Sequence, residues 1–177
     1  MPASSTRTLS GSCVAEGYPS VPDDLPVVFK AAMRRLAASV SIVVARGDEG
    51  PVGMAATSIT SLTIDPPAVL VCVNRMTSLH ALLVPTAPLS VNLLARHHRD
   101  VSMAFGGGIP REDRFKVGDW HDGANGLPAL ADAQARLECV IDAMLAYGTH
   151  SIVIARVIRA QVSDTVDPLV YQDGGYL

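Results

Sequence analysis

The sequence predicts a mainly β fold, an antiparallel barrel of about six strands with helices packed outside. Two observations carry this. Apolar, β-branched runs recur along the chain and are joined by short turns, without the regular βαβ alternation of a parallel sheet. One segment also alternates cleanly: Ala133, Ala135, Leu137, Cys139 and Ile141 interleave with Asp132, Gln134, Arg136 and Glu138, a period-2 strand with one wet face.

The remaining elements follow in order. Asp23 and Asp24 are candidate helix N-caps, with Pro26 in the first turn and Phe29, Ala32, Met33 and Leu36 forming one apolar stripe. Val40 to Arg46 reads as a strand, and Gly47 to Pro51 as a turn. Val52 to Ile64 is a second extended region, and Ala68 to Val73 a nearly all-apolar central strand. A short helix is expected over Leu79 to Val84, a strand over Leu89 to Leu94 and a helix over Ala95 to Phe105. Gly106 to Pro110 is a flexible loop, and Arg111 to Gly126 reads as irregular surface. Ser151 to Val162 is a long strand, apolar on both faces for much of its length. Leu169 to Tyr171 is a last short strand, followed by a turn at Asp173-Gly174-Gly175.

The chain has 177 residues, suited to one domain, with 49% hydrophobic residues and a net charge of −3. Residues 1–22, rich in Ser and Pro, read as a flexible tail without the apolar core of a signal peptide, and residues 23–177 as the domain. The apolar excess points to a homodimer. No window approaches about eighteen consecutive apolar residues, so no membrane span is expected. No basic footprint for nucleic acid is present; Arg96, His97, His98 and Arg99 read as a solvated helix face. Three cysteines, Cys13, Cys72 and Cys139, have no disulfide or zinc spacing, and a reducing cytoplasm fits. His97, His98, Asp100, His121 and Asp122 carry donor atoms but lack i, i+4 pairing and a shared face, so no metal site is predicted. Rossmann, Walker, nucleophile-elbow and zincin motifs are all missing.

One stretch stands out chemically. From Gly53 to Ser61 almost every side chain is small or hydroxylic, and Asp65-Pro66-Pro67 follows. Such a run lets a flat ligand lie against the backbone, where peptide N–H groups reach its polar edge; a barrel strand kept small because two subunits approach closely there would read the same way. Cys72-Val73-Asn74-Arg75 leaves a strand just before Thr77 and Ser78, a place where free N–H groups and Arg75 can meet an anion or simply cap a turn. Phe105-Gly106-Gly107-Gly108 permits close backbone approach.

These segments, with Arg114-Phe115 and Tyr147-Gly148-Thr149-His150, resemble the flavin reductase family, the small reductase partners of two-component flavin monooxygenases, from about Phe29 to Tyr176. The resemblance implies a split β-barrel with Greek-key connections. It implies hydride transfer from NADH or NADPH to FMN or FAD, with reduced flavin supplied to a partner monooxygenase. It places Ala55, Ala56, Thr57, Ser58 and Ser61 at the flavin ring, where the family often has Thr-Ala-Asn-Ser in place of Ala55-Ala56-Thr57-Ser58. Cys72, Val73, Asn74, Arg75 and Ser78 fall near the ribityl phosphate, and Phe105, Gly106 and Gly107 near the distal part of the nucleotide. His150, the catalytic candidate, and Tyr176 border the nicotinamide. A split barrel that binds flavin or haem without consuming nicotinamide would use the same strands and histidine.

Overall fold

The computed structural model describes residues 20–177. Most of the expected tail, and Cys13 within it, lies outside the described residues. In chain order the elements are α1 (Leu25–Met33), β1 (Ala38–Ser39), β2 (Ser41–Gly47), β3 (Gly50–Ala56), β4 (Ile59–Ile64), β5 (Pro67–Asn74), β6 (Pro88–Leu93), α2 (Arg99–Met103), β7 (Trp120–Asp122), β8 (Pro128–Leu130), β9 (Ala135–Tyr147), β10 (His150–Val162), β11 (Val170–Gln172) and β12 (Gly175–Tyr176). Seven strands form the main sheet in the order β3-β2-β6-β9-β10-β5-β4. Every neighbouring pair in it is antiparallel. Two small sheets, β1-β11-β12 and β7-β8, complete the β content of the described residues.

The strand order forces the sheet to curl. β3 and β4 occupy opposite edges, yet only Thr57 and Ser58 separate them. Three Cα–Cα steps span at most about 11 Å, whereas the edges of a flat seven-stranded sheet would stand about 29 Å apart. The sheet therefore wraps until its edges approach, although β3 and β4 are not hydrogen-bonded to each other and the ladder stays open there.

Inside the curl, alternate residues of successive strands make one core: Val43 and Ala45, Val69, Val71 and Val73, Leu89 and Val91, Cys139 and Ile141, Val153 and Ala155. A second cluster covers the other face of β2. Ile42 and Val44 pack there with Leu94, Val101, Phe105, Leu130 and Leu169, so β2 is buried on both sides. Each large apolar side chain among these stabilises by about 1.5–3 kcal/mol on burial. Asn92 is the polar tie within this layer. Its Oδ1 accepts the Leu130 N–H at 3.0 Å and its Nδ2 donates to the Ile42 carbonyl at 3.4 Å. Burial pushes the Cys139 thiol up to about 12, with Glu138 adding to it, so this cysteine stays protonated.

Several local expectations are corrected. The helix at Leu79–Val84 is only a 3-10 turn, His80–Leu82, because Pro85 follows within one turn. The helix predicted from Ala95 begins at Arg99, since Ala95 bridges to Pro168 and the Ala95 N–H is taken by His98. Its end runs into a wide π-turn, Ala104–Gly108. The stretch 111–126 is not merely irregular surface. It holds a 3-10 turn, Arg111–Lys116, and β7, and it sends Phe115 and Trp120 onto Phe105. The cluster 96–99 is not one solvated face, because His98 is buried. β10 is buried only in its first half; Ile158 and Val162 are exposed.

α1 forms where expected but ends at Met33, so Leu36 of the expected stripe lies beyond it; Asp24 makes no side-chain cap bond and none of the helix residues is buried. Its C-terminal end is stitched to the β11–β12 turn. The Arg34 guanidinium donates to Asp173 Oδ1 at 3.0 Å and holds that carboxyl below its usual range, and Gln172 Nε2 donates to the Arg35 carbonyl. The apolar stripe itself has no cover among the described residues: Phe29, Met33 and Leu36 are 58%, 45% and 63% exposed.

Candidate functional site

The small-residue stretch is a ledge between two adjoining clefts. Gly53 is small for a packing reason. A Cβ there would stand 2.5 Å from Phe105 Cε1, so the ring lies directly on the backbone. Ala55 and Gly106 border both clefts. A Cβ built on Gly106 or Gly107 meets no described atom within 4 Å, and Gly107 has φ 105°, a conformation that favours glycine.

The first cleft, of about 440 Å³, is lined by Val40, Ala55, Ala56, Thr57, Ser102, Met103, Tyr171 and Tyr176 with Gly106 and Gly108. The two tyrosines face each other because β11 and β12 are a hairpin with Tyr171 opposite Tyr176, ring centroids 5.3 Å apart. Tyr176 is held by a 2.9 Å hydrogen bond between its hydroxyl and Ser102 Oγ, and the Arg99 guanidinium sits 5.3 Å over its ring. The second cleft, of about 330 Å³, is lined by Gly53, Met54, Ala55, Thr77, Ser78, Leu79, Phe105, Gly106, Gly107 and Arg114. Here Arg114 donates to the Gly53 carbonyl at 3.2 Å, while its buried Nε has no partner among the described residues. An aromatic, largely apolar cleft beside a cationic, hydroxyl-lined one suits a ligand with a flat ring and an anionic arm.

Of the residues singled out in the sequence, Ala55, Ala56, Thr57, Ser78, Phe105, Gly106, Gly107 and Tyr176 meet at these clefts. The others form a second group. Ser58 is tied to β5, its Oγ donating to the Cys72 carbonyl at 2.8 Å and its own carbonyl accepting the Cys72 N–H. Ser61 lies exposed on β4. Val73 is fully buried in the core, so only its backbone can serve a ligand. Asn74 Oδ1 caps the turn by accepting the Met76 N–H at 2.9 Å, and the Arg75 N–H bonds the Thr149 carbonyl. His150 pairs with Asn74 across the β5–β10 ladder and is exposed, with Nδ1 2.9 Å from Thr149 Oγ1. It lines neither cleft.

A larger cleft, about 520 Å³, lies elsewhere and is bordered by His97 and Asp132. Asp132, not Asp100 or Asp122, is the acid that joins the two histidines. His97 Nε2 and His98 Nε2 each lie 2.8 Å from one of its oxygens. His98 Nδ1 accepts the Ala95 N–H at 3.1 Å, so Nε2 carries the proton and donates to Asp132. Burial holds His98 below its ordinary value, and although burial alone would raise Asp132, the two histidine hydrogen bonds carry its carboxyl lower. Asp132 thus clasps the two histidines, and the three donor atoms lie within 4.8 Å of one another.

The family model of the flavin reductase like domain matches residues 33–177. The chain belongs to this family. It is 38% identical to the reductase component of the FADH(2)-dependent resorcinol hydroxylase of Rhizobium sp. (strain MTP-10005), over 88% of each chain. It is likewise 38% identical to the FMN reductase (NADH) RutF of Stutzerimonas stutzeri (strain A1501), covering 84% of this chain and 85% of that one. Among solved structures, the NADH:FAD oxidoreductase SgcE6 of Streptomyces globisporus C-1027, in complex with NAD and FAD fragments, superposes with a TM-score of 0.81 at 27% identity, over 90% of this chain and 96% of that one. This member of the flavin reductase like family is thus an oxidoreductase. The ledge and its unpartnered Arg114 Nε fit the group the family name implies.

Residues missed in the sequence are Ser102, Met103 and Tyr171, with Arg114 noted only as a family match. Tyr171 was accessible: a hairpin closed at Asp173-Gly174 sets it opposite Tyr176. Ser102 and Met103 were not, because their place depends on where α2 ends.

Proposed function

We propose that this protein is an NAD(P)H:flavin oxidoreductase that reduces FMN or FAD and supplies the reduced flavin to a partner monooxygenase. The observation that carries this is the pair of adjoining clefts along Gly53–Thr57, one aromatic and one cationic. The relatives support it: one is the reductase component of a hydroxylase and another an FMN reductase using NADH. A flavin held there would supply the electron chemistry, as acceptor of the hydride that NADH or NADPH carries. The chain's own task is placement. The ledge offers main chain without bulk, Tyr171 and Tyr176 wall one side of the ring cleft, and Arg114 with Ser78 faces the anionic arm. We assign His150 to orienting the nicotinamide, and the fold to the split-barrel type with Greek-key connections, in which Thr57-Ser58 bridges the open seam. Free Cys72 and Cys139 suit a reducing cytoplasm; among the described residues no helix is long and apolar enough to cross a membrane.

The test is anaerobic mixing of the protein with NADH or NADPH and with FMN or FAD. Flavin should bleach with turnover on the order of 10 s⁻¹. His150→Ala should raise the KM for the nicotinamide about tenfold while flavin affinity holds within about twofold. No acceleration with either nicotinamide would leave a flavin- or haem-binding barrel without reductase activity; equal loss of both parameters in the variant would make His150 structural.

We also assign a homodimer. The uncovered stripe of α1, Leu62 and Ile64 of β4 (46% and 86% exposed) and the exposed end of β10 are the apolar surfaces that a second copy would cover. Sedimentation should give twice the chain mass, and Phe29→Glu with Met33→Glu should shift it toward the monomer; a monomeric wild type would remove the assignment.

A further inference from the structure

We infer that His98 is a positioning residue for the tyrosine wall of the ring cleft, and that it holds this wall only while its imidazole is neutral. A continuous hydrogen-bonded chain joins the two places. Asp132 Oδ1 lies 2.8 Å from His98 Nε2, the His98 carbonyl accepts the Ser102 N–H at 3.0 Å, and Ser102 Oγ lies 2.9 Å from the Tyr176 hydroxyl. Ser102 and Tyr176 both line the ring cleft. Arg99, the residue after His98, sits over the Tyr176 ring. Both of these contacts on Tyr176 come from α2, the helix that His98 opens. Only the choice of ligand probe below rests on the flavin reading.

His98 serves both polar groups of Ala95. Its backbone N–H donates to the Ala95 carbonyl at 2.9 Å, and its Nδ1 accepts the Ala95 N–H at 3.1 Å. The residue is 4% exposed, so both ring nitrogens depend on protein partners. A proton on Nδ1 would set two N–H donors against each other and leave the Ala95 N–H unsatisfied, which is costly in the interior. The turn must then open, and α2 loses its fixed start. The titratable groups around the ring are Asp132, from the β8–β9 connection, and His97 and Asp100 from its own segment. Arg96 and Asp167, beside the Ala95–Pro168 bridge, neutralise each other at 2.7 Å. Burial holds His98 below its ordinary value against the pull of Asp132 and Asp100, and His97 adds to the lowering. Because the folded value is the lower one, the unfolded chain takes the proton first. The stability that neutral His98 contributes is fully present above about pH 6.5, the ordinary imidazole value, and is lost as the pH falls through the lower folded value.

The test is a pH titration of the whole chain carrying isotope-labelled histidine and tyrosine, followed by NMR between about pH 8 and pH 5. The His98 ring should show the Nε2–H tautomer at the upper end. The Tyr176 signal, identified by its loss in Tyr176→Phe, should shift with the same midpoint as His98. Riboflavin serves as the ligand probe, because it has no phosphate to titrate. Its dissociation constant should rise about tenfold over the same range, and by reciprocity saturating riboflavin should move the His98 midpoint about one unit lower. His98→Gln keeps a donor for Asp132 and takes up no proton, so the Tyr176 shift and the pH dependence of binding should both vanish; His97→Gln should keep them. A Tyr176 signal that does not follow His98 in the wild type, or a response that persists in His98→Gln, overturns the proposal. If Tyr176 follows His98 but riboflavin binds at no pH, the flavin reading falls and the coupling stands.

Discussion

Phe105→Ala should destabilise the protein by about 3–5 kcal/mol, the usual cost of emptying a buried aromatic site. Phe105 is 2% exposed and is one of three mutually packed aromatic rings, edge-on to Phe115 at 5.0 Å and tilted against Trp120 at 5.3 Å. Its other side lies on the bare backbone of Gly53. Removal opens a cavity bounded by the ledge, the π-turn and the 111–116 turn. Urea denaturation measures the effect. A loss under about 1 kcal/mol would mean that the cluster relaxes into the gap and that the ledge does not depend on it. The reciprocal change, Gly53→Ala, pushes a methyl into the same ring and should cost about 1–3 kcal/mol. Combining it with Phe105→Leu should cost less than the sum of the two, because the smaller side chain makes room for the methyl.

That coupling shows why some of the site was legible in the sequence and some was not. The small-residue run was visible as a place for a flat ligand, yet Gly53 itself is small so that Phe105 can approach; two causes produced one pattern. Strands showed clearly wherever their residues alternated or were uniformly apolar, as in β5, β6 and β9, because burial acts at a period that the strand fixes. The opposite-edge placement of β3 and β4 was not legible, since a run from Val52 to Ile64 reads the same whether it continues in one ladder or crosses a seam at Thr57-Ser58. The 111–126 stretch hid Arg114, Phe115 and Trp120 behind a polar composition. Its folding is dictated by a few aromatic contacts with distant residues, which leave no local period. α1 shows the converse. Its periodicity was correct and the helix forms, but none of the described residues covers its stripe.

The largest effect on ligand binding is expected from Ala55→Leu. Ala55 is half-buried on β3, paired with Ile42, and it borders both clefts at the point where they meet. A leucine there projects three more carbons over the ledge, where the ring of a flavin would need to lie within van der Waals distance of the main chain. Overpacking of this kind costs about 1–3 kcal/mol, here charged to the complex rather than to the fold, because in the free protein the added carbons have the cleft to occupy. FMN affinity should therefore fall about 10- to 100-fold, with the melting temperature little changed. Thr57→Leu, which adds bulk only on the tyrosine side, should weaken binding less, and Ala55→Ser, which adds one small atom, should leave it nearly intact. An ordering in which Ala55→Leu is worse than Thr57→Leu, and Thr57→Leu worse than Ala55→Ser, separates a ledge that contacts the ligand from one that merely lies nearby. A folded Ala55→Leu protein that bound FMN as tightly as the wild type would move the ligand off β3 altogether, and with it the reason for a strand that ends in Ala55-Ala56 beside an arginine without an acid.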